Sequence, residues 1–317
     1  MKTLKFICSI ALLSIICGAC ETPMTDIPRS ELPQAESKLV VSSIISPQLP
    51  FINVVVTESI PLFTDTESSG SRVEDATVRL SDGANEILIP FDAEKKLYSI
   101  PQSKFPISGS KTYYLTVSDK SRNVTAQCSV PGKTPVIKSY ELDTVVVDDI
   151  TTKDTILTLR MNWRDIPSDT NYYKLSAGFD IEYSIGFVKD KQVKESRVSN
   201  HFYFHWDWQK GKNEYFIDHN LDGAIMNSPL AKITLPRPSD NILANGKKVT
   251  VYPKIKIPEI IIEVLNLDTN YHKYQRSLEV KSNSETPFAE PAPLYSNVNG
   301  GLGCFAAYNA AQVKVVF

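Results

Sequence analysis

Between residues 38 and 131 the chain alternates apolar and polar side chains in short runs separated by turn signals. Leu39 to Ile45 and Phe51 to Glu58 are rich in β-branched residues. Ala76, Val78 and Leu80 alternate with Thr77, Arg79 and Ser81, and Asp82-Gly83 follows as a turn. Ile87 to Phe91, Lys96 to Ile100, Tyr113 to Val117 and Val124 to Val130 complete the series. About seven strands, with turns every ~8–12 residues, predict an immunoglobulin-like β-sandwich without the disulfide–tryptophan pin of antibody domains.

Beyond residue 133 the period stays at two and the runs lengthen. Leu157, Leu159, Met161 and Trp163 share one strand face, with Thr158, Arg160, Asn162 and Arg164 on the other. After Ile166-Pro167-Ser168-Asp169, the inward set is Tyr173, Leu175, Ala177, Phe179, Ile181 and Tyr183. These two runs are expected to form a half-buried antiparallel pair that opens a fibronectin type III-like sandwich. Residues 186–246 read as an insertion: a polar loop from Lys189 to Asn200, an aromatic strand from His201 to Trp208, and turns at Gly211, Asp222-Gly223 and Asn245-Gly246. Pro253 and Pro258 predict a bent or edge strand, and Ile260 to Leu265 a further one. One helix is predicted, capped by Asp268 or Thr269, with Tyr271, Tyr274 and Leu278 on one face. The Pro- and Gly-rich stretch 287–303 reads as loop, and 312–317 as a closing strand. The expected fold class is all-β, with tandem β-sandwich domains at 38–132 and 133–317.

The first residues follow a different pattern. Lys2 and Lys5 precede the apolar stretch Phe6 to Ile16, which is too short to span a bilayer. Gly18 and Ala19 stand directly before Cys20. This is the layout of a bacterial lipoprotein signal over 1–19, cut before Cys20, whose thiol would carry fatty-acyl chains such as palmitate. Cys17 occupies the −3 position where Leu is usual, and an ordinary secretory signal cut after Ala19 is the alternative. Residues 20–37 form a linker, broken by Pro23, Pro28 and Pro33 and kept solvated by Glu21, Asp26, Glu31 and Glu36. Acyl chains contribute roughly 0.8 kcal/mol per buried CH₂, and several chains anchor durably. The membrane is therefore an expected partner through the N-terminal lipid.

Composition narrows the function. Of 317 residues, 42% are hydrophobic and 22% charged, as in folded globular proteins. The formal net charge is −2, and loss of a leader holding two lysines and no acid leaves the mature chain at −4. That balance argues against a nucleic-acid partner, which demands clustered Lys and Arg. Of the five cysteines, Cys8 and Cys17 leave with the leader and Cys20 is the acylation site. Cys128 and Cys304 remain, either as one disulfide or as two buried small hydrophobes. Two cysteines so far apart do not make a cysteine-based zinc site.

Three segments carry a family resemblance. They are Val73-Glu74-Asp75-Ala76-Thr77-Val78-Arg79-Leu80-Ser81-Asp82-Gly83; Lys111 to Val117 leading to Cys128-Ser129-Val130-Pro131; and Glu290-Pro291-Ala292-Pro293-Leu294-Tyr295 running to Gly303, with Phe305 and Tyr308 after it. Together they resemble a family of Bacteroidota outer-membrane lipoproteins, domain of unknown function 4249, over essentially the whole mature chain. The resemblance implies an outer-membrane lipoprotein often encoded near TonB-dependent transporters. It implies no enzymatic activity and supplies no catalytic residues.

Candidate chemistry is sparse. In His201 to Trp208, Phe202, Phe204, Trp206 and Trp208 share one strand face, and His201, Tyr203, His205 and Asp207 the other. Tyr203, His205, Trp206 and Trp208 are the candidate ligand-binding residues, a sugar- or peptide-stacking surface. The competing reading packs one face on the core and leaves the other in water. His205 and Asp207 have metal-ligand spacing, but the two histidines stand roughly 13 Å apart by strand rise, too far to share an ion. Asp218-His219-Asn220-Leu221-Asp222-Gly223 matches the first half of a calcium loop, making Asp218, Asn220 and Asp222 candidate Ca²⁺ ligands. Pro229 stands where the bidentate Glu belongs, and a surface turn is the alternative. Asn299-Gly300-Gly301-Leu302-Gly303 lacks the helix start and Lys of a phosphate loop and reads as a tight backbone turn. No Gly-x-Ser-x-Gly elbow or His-Glu-x-x-His motif occurs, and Asp148-Asp149 read as solvated loop acids. The expected function is a non-enzymatic, lipid-anchored binding or accessory module beside a TonB-dependent transporter in nutrient uptake. A structural adhesin or envelope spacer is the alternative, and a surface hydrolase ranks last.

Overall fold

The structure is a computed structural model that describes residues 36–60, 71–148, 153–207, 214–219, 221–283 and 293–317. Segments Lys38–Ser59 and Gly70–Phe317 form one compact body. Its first part holds strands β1 (Leu39–Ile45), β2 (Phe51–Glu58), β3 (Thr77–Ser81), β4 (Glu86–Ile89), β5 (Phe91–Asp92), β6 (Leu97–Pro101), β7 (Thr112–Ser118) and β8 (Asn123–Ser129). The remainder holds β9 (Val136–Asp148), β10 (Lys153–Arg164), β11 (Tyr172–Lys189), β12 (Gln192–Tyr203), β13 (His205–Trp206), β14 (Tyr215–Ile217), β15 (Ile225–Asn227), β16 (Ala231–Thr234), β17 (Ser239–Ile242), β18 (Lys248–Val251), β19 (Glu259–Leu267), helix α1 (Thr269–Asn283) and β20 (Leu302–Val316). The fold is all-β and sandwich-type.

In the first part a four-stranded sheet, β4-β3-β7-β8, covers the antiparallel run β1-β2-β6-β5. The alternation read from sequence is the alternation of burial: β8 runs exposed, buried, exposed from end to end. Leu39, Val41, Ile52 and Val54 meet Val78, Leu80, Tyr113 and Leu115 in one core. Each such side chain contributes about 1.5–3 kcal/mol when fully buried.

The second core lies between β10 with β15 and β16 on one side and β11 with β19 on the other. Here the structure corrects the expected pairing. β10 and β11 are not neighbours in a sheet; β10 bonds to β9, β15 and β16, and β11 to β12, β14 and β19. The loop carrying Pro167 crosses from one sheet to the other, so both apolar faces point at the same core. Trp163 then meets Tyr173 at 6.0 Å and Phe216 at 5.0 Å, edge to face.

Two segments read as loop are strands. Asp148 ends β9 opposite Lys153, and β9 pairs with β10 from Val136 to Asp148. Lys189 to Asn200 form the tip of the β11–β12 hairpin, which turns at Asp190 and Lys191 with φ of 53° and 60°. Positive φ at both central residues is the turn geometry that matches strand twist. β9 and the 189–200 tip meet solvent on both faces, so neither shows the hydrophobic period that marks β10 and the first part of β11.

β20 joins the parts. Its first half runs parallel to β1, from Val40 opposite Leu302 to Ile45 opposite Ala307. Its second half runs antiparallel to β19, from Tyr308 to Val316. One sheet therefore contains β12-β11-β19-β20-β1-β2-β6-β5. Phe305 and Ala307 enter the first core, Val315 packs on the second, and Cys304, Ala306 and Ala310 build a third with Leu265, Leu267 and Tyr271. The glycine motif before it is a turn, with Gly300 at φ 79°, and it also lets β20 approach β1.

Candidate functional site

The aromatic segment divides as strand geometry dictates. Phe204 is buried, and its ring lies 5.9 Å from that of Phe179. Phe202 and Trp206 pack partly buried on the second core. Tyr203, 61% exposed, and His205 face outward, and Tyr203 leans over His201 at 4.4 Å. His201 Nδ1 lies 2.8 Å from Asp180 Oδ1, and Lys232 Nζ 2.6 Å from Asp207 Oδ2. Asp207 thus has an ammonium partner, and the polar face is tied by surface pairs. A cleft of about 290 Å³ does bring Tyr203, His205 and Trp206 together with Lys174 and Glu214. Burial lowers the Lys174 pKa, against the pull of Glu214. Trp208 lies outside the described residues.

Asp218 and Asp222 serve the loop that crosses between sheets. Asp218 Oδ2 accepts the backbone N–H of Asn171 at 3.0 Å, and Asp222 Oδ1 accepts that of Ser168 at 2.6 Å. Asp165, fully buried, takes the Tyr173 hydroxyl at 2.7 Å and the Gly223 N–H at 2.8 Å. These carboxylates staple the 218–224 turn to the 165–171 loop. Asn220, the third candidate calcium ligand, lies outside the described residues, and among the described residues no three His, Cys, Asp or Glu side chains converge as a metal site. Gly223 has φ 67°, as its turn requires.

Cys128 and Cys304 are free thiols, both buried, in place of the disulfide that the sequence left open. Burial pushes Cys128 well above the ordinary thiol value and Cys304 up to about 12, with Asp268 adding to both. Such thiols are inert at neutral pH. Cys20 lies outside the described residues.

A second concavity was not legible from spacing. About 490 Å³ opens at the N-terminus of α1, lined by Gln127 to Ser129, Pro131 to Lys133, Asp169 to Tyr172 and Asn266 to Asn270. Asp268 sits at its base, 8% exposed, with Oδ1 accepting the Tyr271 N–H at 2.7 Å as the helix cap. Oδ2 has no hydrogen-bond partner among the described residues. Burial raises the Asp268 pKa to about 7, while nearby backbone N–H groups, Tyr271 first, pull it down. The sequence marked Asp268 only as a cap; its burial depends on chain segments over a hundred residues away.

This carboxyl should make stability depend on pH. The native state holds its proton up to about pH 7, whereas an unfolded Asp releases it near 3.8. The stability it contributes is complete below the unfolded value and is lost as pH rises through the folded one. Asp268→Asn keeps a capping side chain and carries no charge. Its stability advantage over wild type should grow from near zero at pH 4 to about 2–4 kcal/mol at pH 8, since each tenfold difference in proton affinity between the two states is worth about 1.4 kcal/mol. Urea unfolding of both proteins across that range checks it; a constant difference contradicts it.

Fold and cavities together define an all-β, sandwich-type protein with one concavity beside its aromatic strand and another at the start of its helix. The chain belongs to the family described as "Domain of unknown function (DUF4249)", which matches residues 25–314. No curated protein matches it. A solved structure titled "Biofilm associated protein - BSP domain" is similar at 6% identity and TM-score 0.17, covering 89% of this chain and 59% of its own. The chain thus spans less than two thirds of that structure, and a score so low carries no argument about either fold or role.

Proposed function

We propose that this chain is an outer-membrane lipoprotein, anchored through Cys20, that acts without catalysis as a binding or accessory module beside a TonB-dependent transporter. The observation that carries the reading is the N-terminal layout: Lys2 and Lys5, an apolar run, Gly18-Ala19-Cys20, then a Pro- and acid-rich linker. Supporting it, no helix among the described residues is long and apolar enough to cross a membrane. Tyr203, His205 and Trp206, with Trp208, form the proposed contact surface. The test has two parts. Cys20→Ser should move the protein from the membrane to the soluble fraction, and wild type should co-purify with a β-barrel from detergent-solubilised outer membrane. Unchanged fractionation sinks the anchor, and a protein that never travels with a barrel sinks the partnership.

A second reading, an adhesin or envelope spacer, draws on the two long hairpins. Val145, Val146 and Val147 on β9 and Ile185, Phe187 and Val188 on β11 are exposed near their tips. Exposed apolar strands of this kind invite contact with other chains. Loss of nutrient uptake with unchanged cell adhesion on deleting the gene favours the first reading; the reverse favours the second.

A further inference from the structure

We propose that the outer edge of β9 takes up an extended, basic strand of another protein, adding it to the sheet beside β10. The proposal rests on the accessory role only in giving it a mode of contact; peptide binding by the purified chain is measured apart from the anchor at Cys20 and from any transporter. Among the described residues β9 pairs with β10 on one side and with no strand on the other. From Asp143 to Asp148 every residue is exposed. Such an edge offers a row of unpaired N–H and C=O groups to a strand that fits. The other edges are guarded. β12 is nearly as long, but its Lys194, Glu195 and Arg197 are held in ion pairs with Asp190, Lys254 and Glu182. β8 is covered: its Gln127 carbonyl accepts the side-chain amides of Asn270 and Asn297, each at 3.0 Å, and Thr125 bridges to Asn299. Every other edge strand among the described residues has four residues or fewer. Between Leu142 and Asp148, β9 has no Pro, no Lys and no register shift, the devices that keep strands off an edge. It exposes Val145, Val146 and Val147 there.

Charge selects the occupant. β9 carries Glu141, Asp143 and Asp148 against Lys138. Of these acids, Asp148 alone is in an ion pair among the described residues, with Lys153 at 3.7 Å. Across the ladder Arg160 stands opposite Glu141 without an ion pair, and Thr158 stands opposite Asp143. Two β9 edges laid together would set like charges against each other, which disfavours a second copy. A strand bearing Lys or Arg meets the acids instead. The pleat fixes its pattern. Glu141, Asp143, Val145 and Val147 share one face, so the partner presents two basic and two β-branched residues at every second position.

The experiment uses the full mature chain and the acetylated, amidated peptide Thr-Val-Thr-Val-Thr-Lys-Thr-Lys-Thr. In antiparallel register this peptide sets its Val residues against Val147 and Val145 and its Lys residues against Asp143 and Glu141. NMR titration of nitrogen-labelled protein should show saturable binding, with amide shifts along β9 and none along β12. Replacing both peptide Lys by Glu should weaken binding at least about tenfold, because opposed like charges replace two attractive pairs. Methylating every second backbone nitrogen of the peptide should abolish binding in one phase and spare it in the other, since only one edge of the peptide meets β9. Val145 and Val147 are exposed, so Val145→Lys combined with Val147→Lys should leave Tm unchanged and weaken the Lys peptide at least about tenfold. Val145→Lys alone serves if the double variant misfolds. No saturable binding, equal binding of the Glu peptide, shifts along β12 in place of β9, indifference to methylation in both phases, or binding unaffected in a folded Lys variant overturns the proposal.

Discussion

Gly303→Val is expected to unfold the junction between the two halves of the protein. A Cβ built at Gly303 would lie 2.0 Å from the Val41 carbonyl oxygen and 2.8 Å from its carbon. Both are backbone atoms of β1, which cannot swing aside as a flexible side chain can. Gly303 also has φ 113°, a conformation closed to a β-branched residue. The parallel ladder between β1 and β20 must then separate, and Phe305 and Ala307 leave the first core with it. Strain and lost burial together predict a loss of at least about 3 kcal/mol, and hence a fall in Tm of roughly 10 °C. Gly246→Ala is the control: its φ is 79°, but nothing lies within 4 Å of its Cβ. It should cost about 1 kcal/mol. Equal effects at the two sites would show that the close approach is not what Gly303 provides.

Trp163→Ala is expected to be as damaging in the second core. The ring is wholly buried and makes edge-to-face contacts with Tyr173 and Phe216. Its Nε1 has no hydrogen-bond partner among the described residues, so the substitution removes packing and no polar bond. Truncation of a buried Trp leaves a cavity that costs about 3–5 kcal/mol. Trp163→Phe should recover more than half of that loss, because an apolar ring refills most of the space. Chemical denaturation of both variants measures it; a loss below about 1 kcal/mol for the alanine variant would mean the core collapses around the gap.

Much of this architecture is legible in the residues because half-buried strands write their environment into the chain. β1 to β3 and β6 to β8 lie where the alternation places them, whereas the single run Ile87 to Phe91 is broken at Pro90 into β4 and β5, which belong to different sheets; of the two candidate caps for α1, Asp268 is the one whose side chain accepts a helix N–H. What failed to show has physical reasons. β9 and β12 expose both faces, so charged residues such as Glu141, Asp143, Lys194 and Arg197 break any apolar period. The first half of β20 reads Gly-Cys-Phe-Ala-Ala-Tyr, where small residues fill a crowded place between sheets and imitate loop text. The period of β10 and β11 determined which faces are buried but not which strands are neighbours, since two strands facing across a core bury the same residues as two strands side by side. The aromatic run read as one strand is two, β12 ending at Tyr203 and β13 holding His205 and Trp206 in the other sheet, yet Phe202, Phe204 and Trp206 still turn inward while Tyr203 and His205 turn outward. The cavity at α1 was invisible because its lining comes from separate segments, none carrying a motif of its own.

The mass of the mature N-terminal peptide, taken from protein purified out of native membranes, bears most directly on the proposed role. A peptide beginning at Cys20 and heavier by its fatty-acyl groups is the expected result. An unmodified Cys20, or a chain that still retains residues 1–19, would contradict it.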